Sequence, residues 1–252
     1  MKKVLMPLPT YGFDPTEAAI PWLLLTAHGY EVAFATPNGY SSLADIRMLR
    51  GEQLGIWKWL LQARSDAVTA YYQMSNSDNF CAPLKYTDIQ MNEYDALLLP
   101  GGHDKGVREY LESALLQSIV VDFFVAKKPV AAICHGVVLA ARSINPATGK
   151  SVLHPYKTTA LLQSQELAAY HLTKLWLQDY YLTYPVTVEA AVKAALSDPA
   201  HFLKGPAPLW RDTAAHLNRG FTVTDRNYLS ARWPGDAYRF SMDFIQLLAV
   251  SF

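Results

Sequence analysis

The chain is poor in several things at once. Only two of its 252 residues are cysteine, Cys81 and Cys134. Two thiols build neither a disulfide framework nor a multi-cysteine zinc site, and they fit a reducing compartment. Charge is scarce as well: 17% of residues are Asp, Glu, Lys or Arg, against roughly 25% in an average soluble domain. The 22 basic residues balance 22 acidic ones and form no basic run, which argues against nucleic acid as a partner. Long apolar runs are missing too. The richest stretch, residues 18–27, is about half of the roughly 20 residues that a membrane-spanning helix needs. The first residues offer a secretory n-region for three positions only, before Pro7 and Pro9 interrupt it. No apolar core or cleavage site follows, so the expected location is the cytoplasm and no membrane contact is expected.

What is present is apolar: 51% of residues are hydrophobic. That implies a large core, or a core plus an oligomer interface or an apolar pocket. The aromatic residues are sorted by type. Of ten Phe, only Phe80 and Phe202 lie in residues 40–94 and 151–217, where Tyr and Trp concentrate. Rings with a polar handle suit half-wet surfaces, interfaces and pocket walls.

Short apolar runs bounded by Pro, Gly or turns predict buried strands at residues 4–8, 31–35, 96–99 and 130–133. A helix pattern from residue 15 to about 28 separates the first two, with Gly29 placed to cap it. A second helix pattern over 107–126 repeats Leu111, Leu115, Ile119 and Phe123 every four residues. Residues 221–224 and 228–231 read as a hairpin, followed by a helix over about 235–250. Alternating strands and helices with continuously apolar strands define an α/β, flavodoxin-like fold. Its sheet is doubly wound and mainly parallel, with helices on both faces. Residues 40–94 and 151–217 exceed what that fold needs. They are read as two mostly helical insertions in one domain spanning 1–252, with helix patterns at 161–177 and 186–196.

Three stretches carry chemistry. In Ala132-Ile133-Cys134-His135-Gly136 a strand runs into a cysteine and then directly into a helix. This is the pattern of a nucleophile elbow, whose tight turn demands small residues two before and two after the nucleophile. Such an elbow places the sulfur at the carboxyl edge of the sheet. A helix N-terminus behind it favours thiolate and predicts a lowered pKa. The His135 N–H would face a developing oxyanion. A buried structural cysteine at a strand end is the bland alternative. Leu99-Pro100-Gly101-Gly102-His103 follows another strand. Gly101 and Gly102 allow backbone to approach a ligand, and the Gly102 N–H is a candidate second oxyanion donor. His103 either contacts substrate or finishes the turn. Asp14-Pro15-Thr16-Glu17 is a capping box with Pro at the first helical position. Capping accounts for Glu17 without function, yet its carboxyl would stand on the same sheet edge as Cys134. Gly149-Lys150-Ser151 ends like a phosphate-binding loop but lacks its first glycine, since Ile144 stands there. No His/Glu spacing suggests a metal, and none is expected.

Together these stretches resemble the ThiJ/PfpI family of the class I glutamine-amidotransferase-like superfamily. Ser230-Ala231-Arg232-Trp233-Pro234-Gly235-Asp236-Ala237 is similar to that family's closing segment. The resemblance implies Cys134 as nucleophile, Glu17 as the carboxyl group on its sulfur, and His135 as adjacent acid/base. It makes His154, which precedes a proline, a further candidate. The acidic third member of the triad has no match in residues 153–159. Glu166 is the next acid, and within its helix pattern it reads first as a solvated position. No distant His-Pro-Glu follows, which argues against glutamine amidotransfer.

The implied function is a cysteine-dependent, cofactor-free enzyme for small reactive carbonyls, of the glyoxalase or deglycase type, with a thiohemiacetal on Cys134. The alternatives are an amidase or peptidase acting through an acyl-enzyme, and a non-enzymatic chaperone or redox sensor. A homodimer is expected.

Overall fold

The predicted strands assemble into one seven-stranded sheet. A computed structural model describes residues 2–250 of the chain. The strands are β1 (Lys3–Pro7), β2 (Glu31–Thr36), β3 (Leu84–Lys85), β4 (Ala96–Leu99), β5 (Val130–Ile133), β6 (Thr222–Asp225) and β7 (Tyr228–Ala231). Their spatial order is β6-β7-β5-β4-β1-β2-β3. Only the β6–β7 hairpin is antiparallel; every other neighbouring pair is parallel. Val4 of β1 faces Val32 on one side and Ala96 on the other. Every residue of β4, β5 and β7 is buried. Such continuous apolarity is the mark of parallel strands covered on both faces.

Helix α1 (Pro15–Ala27) begins as its sequence dictates. The Asp14 carboxylate accepts from the Thr16 and Glu17 amides at 2.8 and 3.1 Å. It ends at His28, with Gly29 at φ +80°, a left-handed conformation that glycine adopts freely. The remaining principal helices are α2 (Ser65–Ser75), α3 (Ala114–Val125), α4 (Gly136–Arg142), α5 (Gln163–Leu177), α6 (Val188–Ala195) and α7 (Ala237–Val250). The long helix expected over 107–126 is broken. A short helix, Arg108–Leu111, precedes α3, and the Ser113 hydroxyl accepts from the Leu116 amide to start a new N-terminus. A four-residue apolar recurrence runs across such a break unchanged, so periodicity alone does not detect it. Edge strand β3 lies inside the segment read as the first helical insertion. With two residues it carries no alternation to read.

The chain order positions the site. From β1 through α1 to β2 the sheet grows one way; from β4 through α3 to β5 it grows the other way. Right-handed crossovers then put α1 and α3 on opposite faces. The reversal between β1 and β4 opens a crevice at the strands' carboxyl ends, where open α/β sheets bind ligands. Segment 40–94 carries α2 and several shorter helices; segment 151–217 carries α5 and α6. Among the described residues no helix is long and apolar enough to cross a membrane.

Candidate active site

Three strand ends converge on that crevice. Cys134 leaves β5 with φ +57°, the left-handed region a non-glycine residue rarely enters. The next turn runs straight into α4. A Cβ at Gly136 would sit 2.1 Å from the Leu99 carbonyl oxygen, so the small residue demanded by the elbow is required by backbone contact with β4. Gly101 is equally constrained. Its Cβ would fall 2.6 Å from the His135 nitrogen and 2.8 Å from Glu17 Oε2.

Glu17, from the first turn of α1, is wholly buried beside the sulfur. Its carboxyl is hydrogen-bonded to Cys134, and Oε2 also accepts from the Gly101 N–H at 2.8 Å. Oε1 has no nitrogen or oxygen partner. Burial, then the neighbouring Asp14 carboxylate, hold Glu17 well above the usual carboxylate range. On the other side His135 Nδ1 lies 3.5 Å from Sγ. The His135 amide also donates to the sulfur.

The lowered thiol pKa expected from the helix N-terminus is not found. Cys134 is pushed well above its ordinary value, by burial first and by the Glu17 and Asp14 carboxylates next. The His135 amide opposes this but does not outweigh it. A fully buried sulfur between two carboxyl groups loses more from desolvation and like charge than one amide returns. Burial, reinforced by His103 and Arg142, holds His135 well below its ordinary range, so its imidazole is neutral near pH 7. The site therefore stores thiol, carboxyl group and neutral imidazole in mutual contact. A proton leaving the sulfur has the neutral His135 imidazole as its receiver.

His103 closes the cluster. Its ring packs edge-on against His135 and against Tyr181, with centroids 5.0 Å apart in both cases. Burial lowers its pKa to about 4, and Nδ1 has no hydrogen-bond partner. The loop bearing it is held by the second extra segment: Thr183 Oγ1 donates to the His103 carbonyl at 2.9 Å. The first extra segment holds the same loop through Arg47, 3.5 Å from Asp104. The Gly102 N–H donates to no group among the described residues and remains available to an oxyanion.

The ligand atoms of His103, Cys134 and His135 lie within 4.8 Å of one another. That donor set suits a thiophilic cation, and no local spacing reveals it because His103 follows a different strand from Cys134 and His135.

Two candidates fall elsewhere. Glu166 is in the first turn of α5 and is buried, not solvated. Its Oε2 accepts from the Val188 amide at 2.9 Å and so caps α6. His154 lines a separate cavity with Tyr156 and Arg226. Neither joins the cluster at the sulfur.

Sequence reasoning missed the wall above the cluster. A cavity of about 250 Å³ is lined by His103 and by Thr16, Gln165, Tyr181, Arg211 and Trp233, among others. Both extra segments contribute to it, through Leu60 and Leu172. The enrichment of Tyr and Trp outside the sheet was the available signal, and Trp233 stands within the closing segment already singled out.

A doubly wound sheet with a cysteine elbow, a carboxyl group on its sulfur and a neighbouring histidine defines the class. The model of the family described as ThiJ/PfpI family-like matches residues 8–220, and the chain belongs to that family. An uncharacterised protein of Schizosaccharomyces pombe is 32% identical over 123 residues, 48% of this chain and 45% of its own. The chain thus spans less than half of that relative's length. A glutathione-independent glyoxalase of the same organism is 27% identical over 160 residues, 62% of either protein. The crystal structure of glyoxalase III from Candida albicans superposes with a TM-score of 0.69 at 21% identity, covering 98% of this chain and 97% of that one. That likeness establishes the shared flavodoxin-like fold.

Proposed function

We propose that the protein is a cysteine-dependent, cofactor-free enzyme that converts 2-oxoaldehydes to 2-hydroxy acids. The observation that carries this reading is the placement of Cys134 Sγ between the Glu17 carboxyl and His135 Nδ1, 3.5 Å away. The relative named as a glutathione-independent glyoxalase supports it.

The chemistry balances with these groups alone. The Cys134 thiol gives its proton to His135 and its sulfur adds to the aldehyde carbon, forming a thiohemiacetal. His135 returns that proton to the aldehyde oxygen and, neutral again, takes the carbon-bound proton while the Glu17 carboxyl protonates the ketone oxygen, giving an enediol. His135 then delivers its proton to the neighbouring carbon as Glu17 recovers one from the former aldehyde hydroxyl. The result is a 2-hydroxyacyl thioester on Cys134. Water hydrolyses it, releasing the 2-hydroxy acid and restoring the thiol. The Gly102 N–H is the candidate donor to the oxygen that gains charge. Positioned proton carriers of this kind contribute about 10² to 10⁴ in rate.

The sulfur's full burial favours a small carbonyl over a peptide. His103 is shared by cavity and cluster.

The test is lactate formation from methylglyoxal without glutathione. Activity in the wild type, lost in a folded Cys134→Ala variant, is expected. Equal inactivity of both proteins overturns the reading.

A further inference from the structure

The cavity above His103 is larger than a three-carbon substrate needs. Its volume is about 250 Å³. A cavity of roughly 150 Å³ already accepts benzene. One wall is hydrocarbon, built from Leu161, Ala169 and Leu172, with the exposed Leu60 and Leu209 at its rim. A methyl group leaves most of that wall without a contact.

The rest of the lining is unsatisfied. His103 Nδ1, Gln165 Oε1, Tyr181 Oη and Trp233 Nε1 are buried and have no hydrogen-bond partner among the described residues. All four belong to residues that line this cavity. A buried polar atom without a partner costs free energy, so four around one space call for a ligand with matching atoms. The Trp233 N–H only donates, and the Tyr181 hydroxyl donates readily. They match adjacent oxygen acceptors. Gln165 Oε1 only accepts and suits a hydroxyl, which the hydrate of an aldehyde supplies. Arg211 adds positive charge on the same side. It donates to the Leu60 carbonyl at 2.9 Å and is lowered in pKa chiefly by burial.

The geometry points to a substrate with two adjacent oxygens and a hydrocarbon tail of about six carbons: a long-chain 2-oxoaldehyde in preference to methylglyoxal. The oxygens lie near Tyr181 and Trp233, and the tail lies along Leu161 and Leu172. This assignment rests on the 2-oxoaldehyde reading for its reacting group, but the tail subsite stands on the cavity itself.

The experiment separates the two. Affinities of lactate and 2-hydroxyoctanoate, the acids formed from methylglyoxal and hexylglyoxal, are measured by calorimetry on wild type and on Leu172→Trp. Ala169→Phe provides a second way to fill the cavity, with circular dichroism confirming the fold of each. Glutathione-free turnover of both aldehydes is followed in parallel. Each buried methylene adds about fourfold in affinity. The expected result is that 2-hydroxyoctanoate binds at least tenfold tighter than lactate and that filling erases the gap. A gap below tenfold in the wild type, or one that survives in every folded filled variant, overturns the tail subsite. Methylglyoxal turnover without the gap leaves the functional reading intact and removes this one. A gap without turnover of either aldehyde does the reverse.

Discussion

Gly101 and His135 touch through space that only hydrogen can occupy: a Cβ at 101 would lie 2.6 Å from the His135 nitrogen. The same Cβ would meet Glu17 Oε2 at 2.8 Å. Two strand ends, β4 and β5, are thereby pressed together at the sulfur. Gly101→Ala is expected to displace the Glu17 carboxyl and lower kcat/KM for the preferred aldehyde at least about 100-fold, consistent with loss of a positioned proton carrier. Wild-type activity in this variant would remove the Gly101–Glu17 contact from the mechanism.

Gly136 presses on backbone, not on side chains. With only 2.1 Å between a Cβ and the Leu99 oxygen, no rotamer change relieves Gly136→Ala. Overpacking typically costs about 1–3 kcal/mol, and a backbone clash belongs at the upper end. Urea unfolding should show a loss of about 3 kcal/mol. A loss under about 1 kcal/mol would mean that β4 and α4 separate easily.

Glu17→Gln keeps an oxygen for the Gly101 N–H but carries no transferable proton. Turnover should fall by about 10² or more while the melting temperature stays near that of the wild type. In the pH range where Glu17 is ionised, the thiol should also become easier to ionise, because the Glu17 carboxylate is one of the groups that raise it. The rate of iodoacetamide alkylation against pH reports this. An alkylation profile that moves to higher pH in the variant would contradict the electrostatic account of the site.

Glu166 makes a prediction about stability. Burial raises its pKa from the usual value to about 7. The folded protein therefore holds this proton more tightly than the unfolded chain. The stability it contributes is complete below the unfolded value, near 4.5, and is lost as pH rises to about 7. Above that the loss is constant, at up to about 3 kcal/mol. Glu166→Gln retains an acceptor for the Val188 amide. It should raise stability at pH 8 and flatten the pH dependence between 5 and 7. Turnover that collapses in a stabilised Glu166→Gln protein would return this residue to the catalytic list.

His103 should stay neutral through the physiological range, since burial places its pKa near 4. Nitrogen chemical shifts of its ring should be flat from pH 8 to 5. A transition near pH 6.5 would show that the ring is solvated, and that the cluster is open in the resting state.

The sheet was legible because its strands are short, apolar and punctuated. Ala96–Leu99, Val130–Ile133 and Tyr228–Ala231 fall on the expected residues. The elbow was legible because a backbone constraint leaves a residue signature, small-X-Cys-X-Gly. The cavity was not. Its walls come from residues as distant as Leu60, Leu172 and Leu209, and each reads locally as part of a helix face or a loop. The thiol's ionisation was misjudged for a related reason. A helix N-terminus is visible in sequence, whereas the burial that chiefly outweighs it, and the Glu17 and Asp14 carboxylates that add to it, arise only through the fold.

The Cys134 sulfur lies wholly beneath the surface, whereas Cys81, the other cysteine, is exposed. Peroxide and other thiol oxidants act on exposed thiolate. Burial and a raised pKa both withhold thiolate at Cys134. The first oxidation of the molecule is therefore expected at Cys81, which leaves the nucleophile intact.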